Sequence, residues 1–525
     1  MKSNIFFKYL KYLSAISTVF LLLSCAHQIY QPYPPMELRQ LDQASSTSFF
    51  EPEQKQQQEQ YQHLAENTFL TTMAQPVSTF AIDVDTASYS NVRRFINNGQ
   101  LPPADAVRIE ELINYFSYDY AEPDADQPFS LSAEVATCPW NDQHDLVQIG
   151  LKARSISQTD LPPANLVFLI DVSGSMAARL PLVKAGLKLL IRQMRPEDRI
   201  AIVVYAGAAG LVLPPTSGSE QATITAALDN LQAGGSTAGG DGIQLAYATA
   251  REHFDSASNN RIILATDGDF NVGPVNQSDL YQLIEQKRQL GIFLTVLGFG
   301  QGNLNDTTME LLADKGNGHY AYIDTLQEAK KVLVNEMGGT LFTIAKDVKI
   351  QLQFNPARVK SYRLIGYENR LLQREDFADD KKDAGELGAG HTVTALYEIV
   401  PAGKHLPKDT LNYVETSIKS AALKRDEWLT LELRYKAPNE EQSQLIRHKL
   451  SKPKNLMAHA STDMRFASAV AEFGLLLNNS SFKANASFSS VNNRARMALG
   501  DDPHGYRAAF IQLSQAAELL TEKNE

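Results

Sequence analysis

The chain has 525 residues, of which 43% are hydrophobic and 21% are charged, and its formal net charge at pH 7 is −11. This composition is typical of globular proteins, and the chain is long enough for about three domains. The acidic balance disfavours binding to nucleic acid, which needs a basic surface, and it disfavours broad docking on anionic lipid.

The first 24 residues have the pattern of a secretory signal peptide. Lysines precede the apolar run LSAISTVFLLL, which is shorter than the roughly 20 residues that a membrane-spanning helix needs. The sequence Leu22-Leu23-Ser24-Cys25 resembles a bacterial lipobox, in which a signal peptidase cuts before the cysteine and the thiol is lipidated. We therefore expect residues 1–24 to form a lipoprotein signal peptide and Cys25 to carry the lipid; the alternative is an ordinary cleaved signal with an incidental cysteine.

The residue after Cys25 bears on the location of the anchored protein. Ala26 stands where an aspartate would favour retention in the inner membrane of a Gram-negative bacterium. We therefore expect a lipid-anchored protein of the cell envelope, on the outer membrane and facing the periplasm. The only other cysteine is Cys138, so the mature chain forms no intrachain disulfide, and we expect Cys138 to be a small buried side chain.

The mature chain divides into segments of different pattern. Residues 25–75 are polar, with EPEQKQQQEQYQ among them, and predict a flexible tether. Residues 76–160 predict an N-terminal flanking domain with a helix and alternating strands. Residues 345–525 predict a C-terminal β-rich domain that ends in helices. Neither flank alone looks able to form a complete domain. We therefore expect the middle of the chain to be inserted into a β-rich domain that is built from both flanks.

In the middle, at residues 164–340, strands alternate with helices. This pattern predicts an α/β fold with a central, mostly parallel sheet that is flanked by helices. Capping boxes at Thr307 and Thr325 predict the starts of the last two helices of this region. The predicted strands are LVFLIDV, IAIVVYA, RIILATDG, FLTVLGFG and HYAYID.

Polar side chains follow two of these apolar strands. Asp171, Ser173 and Ser175 come at the end of NLVFLI, and Asp267 follows RIILAT. The glycine-rich loop at residues 234–242 belongs to the same edge, because functional loops of such sheets gather beyond the carboxyl ends of the strands. Carboxylate and hydroxyl oxygens without histidine or cysteine suit Mg²⁺, with Mn²⁺ and Ca²⁺ as alternatives. The competing interpretation is that these side chains cap the next helix.

The D-x-S-x-S pattern, the glycine-flanked threonine and the T-D-G at a strand end resemble the metal-ion-dependent adhesion site (MIDAS) of a von Willebrand factor A (VWA) domain. The resemblance implies a Rossmann-like VWA fold at residues 164–340. It implies that Ser173, Ser175 and Thr237 ligate the cation directly or nearly so, and that Asp171 and Asp267 hold it directly or through water. Ser236 competes with Thr237, but Thr237 better matches the spacing of the family.

The flanks carry a narrower resemblance. The stretch STFAIDVDTASYSNVRRFINNGQLPPADAVRIEELINYF and the C-terminal region are similar to those of YfbK-like bacterial VWA lipoproteins. This similarity implies an architecture more than an activity. The prediction of an interaction comes from the metal site instead: its neutral hydroxyl ligands favour a module for protein–protein interaction, in which the cation binds a carboxylate from a protein partner, rather than an enzyme.

Two further hypotheses stay open at this stage. The stretch IDVDTAS resembles the start of haloacid-dehalogenase phosphohydrolases, with Asp83 as nucleophile, but Ala87 departs from that motif. We expect Asp83 and Asp85 to serve a turn or a helix cap instead. The remaining hypothesis is an envelope scaffold with a vestigial metal site. Catalysis at the metal site itself is disfavoured because no histidine, lysine or cysteine lies beside the hydroxyls in sequence.

Overall fold

A computed structural model represents the protein. The structure describes residues 59–124, 127–157, 159–235, 239–268, 277–300, 304–336, 342–403, 418–438, 440–451 and 453–524. The predicted signal peptide, the lipidation site Cys25 and most of the predicted tether lie outside the described residues. Among the residues that the structure describes, no helix combines the length and the apolar character needed to span a bilayer.

The described residues form the strands and helices whose bounds are given below. The strands are β1 (Leu70–Thr71), β2 (Val77–Ala81), β3 (Phe129–Thr137), β4 (Asp145–Ala153), β5 (Ala164–Asp171), β6 (Arg199–Tyr205), β7 (Ala209–Ser217), β8 (Asn259–Thr266), β9 (Ile292–Gly298), β10 (Tyr320–Tyr322), β11 (Thr343–Phe354), β12 (Val359–Ile365), β13 (Gly385–Gly388), β14 (Thr392–Pro401), β15 (Leu429–Lys436) and β16 (Gln444–Leu450). The helices are α1 (Ala87–Asn97), α2 (Ile109–Asn114), α3 (Leu180–Ile191), α4 (Gln221–Asp229), α5 (Gly239–Glu252), α6 (Gln277–Gln289), α7 (Asp306–Lys315), α8 (Leu326–Lys330), α9 (Ser420–Leu423), α10 (Thr462–Leu477), α11 (Phe488–Met497) and α12 (Tyr506–Asn524).

The central sheet has the strand order β10-β9-β8-β5-β6-β7. Neighbouring strands from β10 to β6 are parallel, and β7 alone pairs antiparallel, with β6. The predicted α/β fold with a mostly parallel sheet is therefore confirmed. Strand β7 is not among the predicted strands, because Pro214 and Pro215 break its pattern. Proline lacks the N–H that an inner strand needs, but an edge strand tolerates it.

Helices cover both faces of the central sheet, and β5 shows why. All eight residues of β5 are buried. Successive side chains of a strand point to opposite faces. Leu166 and Phe168 accordingly pack in one hydrophobic core with α3, and Val167 and Leu169 pack in a second core with α5 and α6. A sheet covered on both faces needs continuous apolar strands, and the run NLVFLI meets that need.

Strands from before and after the central sheet share one sheet, with the order β1-β12-β14-β4-β3. In it β4 pairs antiparallel with β14, with Val147 opposite Tyr397. A second flanking sheet has the order β13-β11-β15-β16, and β2 also pairs with β11. One apolar core contains residues of both sheets, among them Val147 and Leu431. The β-rich flank is therefore built from both sides of the chain, as expected, while the boundaries at 76–160, 164–340 and 345–525 stay predictions.

The terminal helices form a fourth core with the helices of the N-terminal flank. Phe116, which follows α2, makes edge-to-face contacts with Phe466 of α10 and Phe510 of α12. Helices α10 and α12 match the predicted terminal helices. Helix α11 between them was not predicted, because its sequence FSSVNNRARM is largely polar.

The two predicted capping boxes have different outcomes. Thr325 caps α8, and its hydroxyl accepts a hydrogen bond from the N–H of Glu328 at 3.2 Å. The prediction at Thr307 is wrong, because Asn305 caps α7 and its side chain accepts from the N–H of Thr308 at 3.1 Å. Asparagine is as good an N-cap as threonine, so the helix begins two residues earlier than the capping box indicates.

Candidate metal centre

The predicted metal ligands Asp171 and Asp267 lie at the same edge of the central sheet. Asp171 is the last residue of β5, and Asp267 follows the last residue of β8. These strands are parallel neighbours, so their carboxyl ends meet at one edge. Both side chains are nearly inaccessible, since Asp171 is 0% exposed and Asp267 is 2% exposed. The structure therefore brings together two carboxylates that are far apart in sequence.

Hydrogen bonds from the protein fix the orientation of the Asp171 carboxylate. The N–H of Ser173 donates to Oδ1 at 2.8 Å, and the hydroxyl of Thr266 donates to Oδ2 at 3.3 Å. Burial raises the pKa of Asp171, the hydrogen bonds from Ser173 lower it, and the charge of Asp267 raises it again; the net pKa is above the ordinary value. A cation beside these two carboxylates would relieve both the desolvation and the repulsion.

The two serines of the motif present adjacent hydroxyls. A 3₁₀ turn at Gly174–Ala178 follows Ser173 and places the Ser173 and Ser175 Oγ atoms 3.0 Å apart. Ser173 is buried, whereas Ser175 is exposed. The interpretation of this motif as a helix cap is not supported. Neither Ser173, before the 3₁₀ turn, nor Arg179, before α3, makes a side-chain capping bond.

The glycine-rich loop approaches the serine motif from the other side. Gly234 donates its N–H to the carbonyl oxygen of Val172 at 2.7 Å, and the N–H of Gly174 donates to the carbonyl oxygen of Gly235 at 3.2 Å. Gly235 has φ of +92°, a conformation that favours glycine. Thr237 and its competitor Ser236 lie outside the described residues, so their roles stay predictions. The described end of the loop nevertheless lies against the D-x-S-x-S turn.

Tyr205 is a residue of this site that the sequence analysis missed. It ends β6 directly opposite Asp171 in the sheet and is fully buried. Burial raises the pKa of Asp171, and the neighbouring phenol of Tyr205 acts in the opposite direction. Its signal in the sequence was the polar end of the apolar strand IAIVVYA, which has the same form as the end of β5.

The backbone that follows Asp267 packs tightly against the loop after β9. Gly268 has φ of +90°, and a Cβ atom there would lie 2.8 Å from the backbone nitrogen of Asn305. A Cβ atom on Gly300 would lie 2.2 Å from the carbonyl oxygen of Asp267. The two glycines therefore allow a close approach of three chain segments beside the Asp267 carboxylate.

The donor set fits a hard divalent cation. Asp171, Ser173, Ser175 and Asp267 offer only oxygen atoms, which Mg²⁺, Mn²⁺ and Ca²⁺ prefer. Across the described residues, no three His, Cys, Asp or Glu side chains are grouped so that they could hold a metal. Cys138 lies elsewhere and is buried and free, as expected.

The acidic residues of IDVDTAS serve neither a helix cap nor a turn of the expected kind. Thr86 precedes α1 and makes no side-chain capping bond, so the predicted cap is wrong. Asp83 instead forms an ion pair of 3.1 Å with Arg370. Asp85 accepts a hydrogen bond from the N–H of Tyr320 at 2.8 Å. Because both acids bind to distant parts of the chain, a structural role explains them.

Family models match nearly the whole folded chain. The model described as the von Willebrand factor type A domain matches residues 165–335, and the model described as the C-terminal part of the uncharacterized protein YfbK matches residues 339–520. A third model, described as von Willebrand factor, matches residues 55–148. The three matches follow one another along the chain.

Parts of the chain are also similar to curated and solved proteins. The uncharacterized protein sll0103 of Synechocystis sp. is 27% identical over 184 residues, which cover 35% of this chain and 43% of that protein. A von Willebrand factor type A structure from Catenulispora acidiphila is 15% identical, with a TM-score of 0.39, over 73% of this chain and 88% of that chain. Proximal thread matrix protein 1 from the mussel byssus, with a zinc-occupied MIDAS motif, is 22% identical, with a TM-score of 0.28, over 33% of this chain and 45% of that chain.

The relative that decides the family is the uncharacterized protein YfbK of Escherichia coli strain K12. It is 45% identical over 471 residues, which cover 88% of this chain and 81% of that protein. Identity at this level extends through the central sheet and both flanks. The chain therefore belongs to the YfbK-like family of bacterial proteins with a VWA domain.

Proposed function

We propose that the protein is a lipid-anchored lipoprotein of the bacterial cell envelope that binds a partner protein through a divalent cation. The VWA domain is the part that points to interaction rather than to catalysis. Mg²⁺ is the cation that we expect, and Asp171, Ser173, Ser175, Thr237 and Asp267 are the residues that we expect to hold it. Cys25 is the residue that we expect to anchor the chain to the outer membrane, facing the periplasm.

One observation carries the metal part of this proposal. Two buried carboxylates, Asp171 and Asp267, lie at one sheet edge with the adjacent hydroxyls of Ser173 and Ser175. Burying like charges together is costly without a counter-charge, and the charge of Asp267 raises the pKa of Asp171 because the two carboxylates repel each other. A divalent cation at this edge would supply that counter-charge and a Lewis-acidic position for a carboxylate of the partner.

The exposure of the residues favours recognition over a closed structural site. Ser175 is exposed, so one side of the predicted site is open to solvent and to a partner. Hydroxyl ligands are neutral and leave a cation more electrophilic than additional carboxylates would. An aspartate or glutamate from the partner can then make a strong, directional contact.

Calorimetric titration with Mg²⁺ and Mn²⁺ tests the proposal. We expect the wild-type protein to bind the cation and both Asp171→Ala and Thr237→Ala to weaken binding at least about tenfold, since each removes a ligand. Asp142→Ala, at an exposed aspartate, is the matched control and should bind as the wild type does. Crosslinking in cells, with and without chelator, then measures whether partner capture follows metal binding.

Two outcomes would contradict this proposal. Partner capture that is unchanged by chelator and by both substitutions would favour the envelope scaffold with a vestigial metal site. Phosphatase activity that is lost in an Asp83→Asn variant would favour the phosphohydrolase hypothesis. The ion pair between Asp83 and Arg370 makes the second outcome unexpected.

A further inference from the structure

The first described residues of the chain contact the loop beside the metal centre. We call Glu59, Gln60 and Tyr61 the strap. The N–H of Gln60 donates to the carbonyl oxygen of Leu304 at 3.0 Å, and Gln60 forms a parallel bridge with Asn305. The backbone of the strap thus pairs with the segment that leads into α7.

The segment under the strap is the one that packs on Gly268. The Cβ position of Gly268 is 2.8 Å from the nitrogen of Asn305 and 3.5 Å from the Cα atom of Leu304. Gly268 directly follows Asp267, the predicted metal ligand at the end of β8. A shift of Leu304 or Asn305 therefore displaces the backbone that carries the Asp267 carboxylate.

The other end of the same loop is linked to the strap through side chains. Glu59 accepts a hydrogen bond from Arg94 at 2.6 Å, and the Arg94 guanidinium lies 5.4 Å from the centre of the Tyr322 ring. The Tyr322 hydroxyl donates to the carbonyl oxygen of Gly300 at 2.6 Å. The Cβ position of Gly300 in turn lies 2.2 Å from the carbonyl oxygen of Asp267.

Tyr61 holds the strap on the VWA domain. Its ring packs against the apolar core that α5, α6 and α7 form with the central sheet, and its hydroxyl donates to Glu59 at 2.7 Å. A partly buried aromatic side chain supplies apolar contact at low entropic cost. The strap is therefore docked by packing as well as by hydrogen bonds.

We infer that the strap is a positioning element of the metal centre: when it is docked, it fixes Gly300, Leu304 and Asn305 against Asp267 and Gly268 and raises the affinity of the site for the cation. This inference rests on the proposed function, and it adds a regulation of the same site. It makes a part of the predicted tether at residues 25–75 a positioning element of the metal centre. Tension on the tether, or another molecule that binds Tyr61, would undock the strap. The affinity of the site for the cation, and with it the binding of the partner, would then fall.

A matched pair of substitutions at one exposed residue tests this inference in the full chain. Gln60→Pro removes the N–H that donates to Leu304, whereas Gln60→Ala keeps it. Hydrogen exchange is measured on metal-free protein, at the N–H groups of Gly268 and Phe299, the second of which donates to Thr266 at 2.8 Å. We expect about fivefold faster exchange in Gln60→Pro than in Gln60→Ala, and about fivefold weaker Mg²⁺ binding. Tyr61→Ala, which removes the packing, should act in the same direction.

The outcomes separate this inference from the proposed function. Equal exchange in Gln60→Pro and Gln60→Ala would overturn the positioning role, whether or not the wild type binds Mg²⁺. Faster exchange with unchanged Mg²⁺ affinity would also overturn it. Faster exchange in a protein whose wild-type form does not bind Mg²⁺ would overturn the proposed function and leave the strap as a positioning element of the loop alone.

Discussion

Arg108 and Arg370 contact opposite oxygens of one carboxylate, that of Glu310. The distances are 3.7 Å from Arg108 Nη1 to Oε2 and 3.0 Å from Arg370 Nη2 to Oε1. Glu310 lies in α7, between Asp306, which pairs with Arg108, and Asp314, which pairs with Arg370, each at 2.8 Å. Residues four apart share one face of a helix. Each flank thus supplies one arginine to a single acidic face of the VWA domain.

Replacement of Arg370 should destabilise the whole fold. Its side chain is only 13% exposed and pairs with acidic residues on both α7 and the N-terminal flank. Arg370→Gln removes this cation from the buried carboxylate of Glu310 and from the partly buried carboxylates of Asp83 and Asp314. We therefore expect the free energy of unfolding to fall by about 3 to 5 kcal/mol. Urea denaturation measures the change. Arg358→Gln, at an arginine with an exposed ion pair to Asp426, is the control, and an equal loss in both variants would contradict the prediction.

Glu110 should make stability depend on pH. Burial, and then the charge of Glu368, raise the pKa of Glu110 from 4.5 to about 7. Between these values the folded state holds a proton that the unfolded state has lost, so stability falls as the pH rises through this window. Glu110→Gln removes this dependence, and above pH 7 it should stabilise the protein by on the order of 3 kcal/mol.

Thermal or urea unfolding of the Glu110→Gln variant at pH 5 and pH 8 checks this prediction. The gain over the wild type should be larger at pH 8 than at pH 5. Glu375→Gln, at an exposed glutamate, should show no such difference. A gain for Glu110→Gln that is the same at both pH values would show that its charge is not the cause.

Gly268→Ala should weaken cation binding. The new Cβ atom would lie 2.8 Å from the backbone nitrogen of Asn305, so the backbone beside Asp267 must move. We expect about tenfold weaker Mg²⁺ binding in calorimetry, in keeping with the effect of disturbing residues that orient metal ligands. Gly99→Ala is a matched control, because Gly99 also has positive φ, of +75°, but has nothing within 4 Å of its Cβ position. Equal Mg²⁺ affinity in the two variants would refute the prediction.

Cys25→Ala should abolish the lipid anchor of the mature protein. Lipidation at Cys25 is the anchor that the sequence predicts, and stable attachment of a lipoprotein needs its several acyl chains. We expect the variant to remain unprocessed at this position or to appear in the soluble fraction after cell lysis and centrifugation. A variant that is still processed and still pellets with membranes would show that the anchor lies elsewhere.

The central sheet could be predicted because its signal is local. The run NLVFLI followed by Asp171 indicates both a buried strand and its functional end, and β8 repeats the pattern before Asp267. The ion pair between Asp83 and Arg370 could not be predicted. Arg370 lies in a distant part of the chain, and no local sequence pattern indicates which residue pairs with Asp83. Tyr205 does end an apolar strand, but only the sheet register places it opposite Asp171.

The insertion of the VWA domain has a consequence for the order in which the protein folds. Strand β4 pairs with β3 as a local hairpin, but its other edge pairs with β14, and Val147 and Tyr397 lie roughly 250 residues apart in sequence. Until β14 pairs with it, one edge of β4 exposes unpaired backbone N–H and C=O groups. Such an edge is a template for pairing with another chain. A truncated product that ends before β14 should therefore aggregate, even when its VWA domain has already folded.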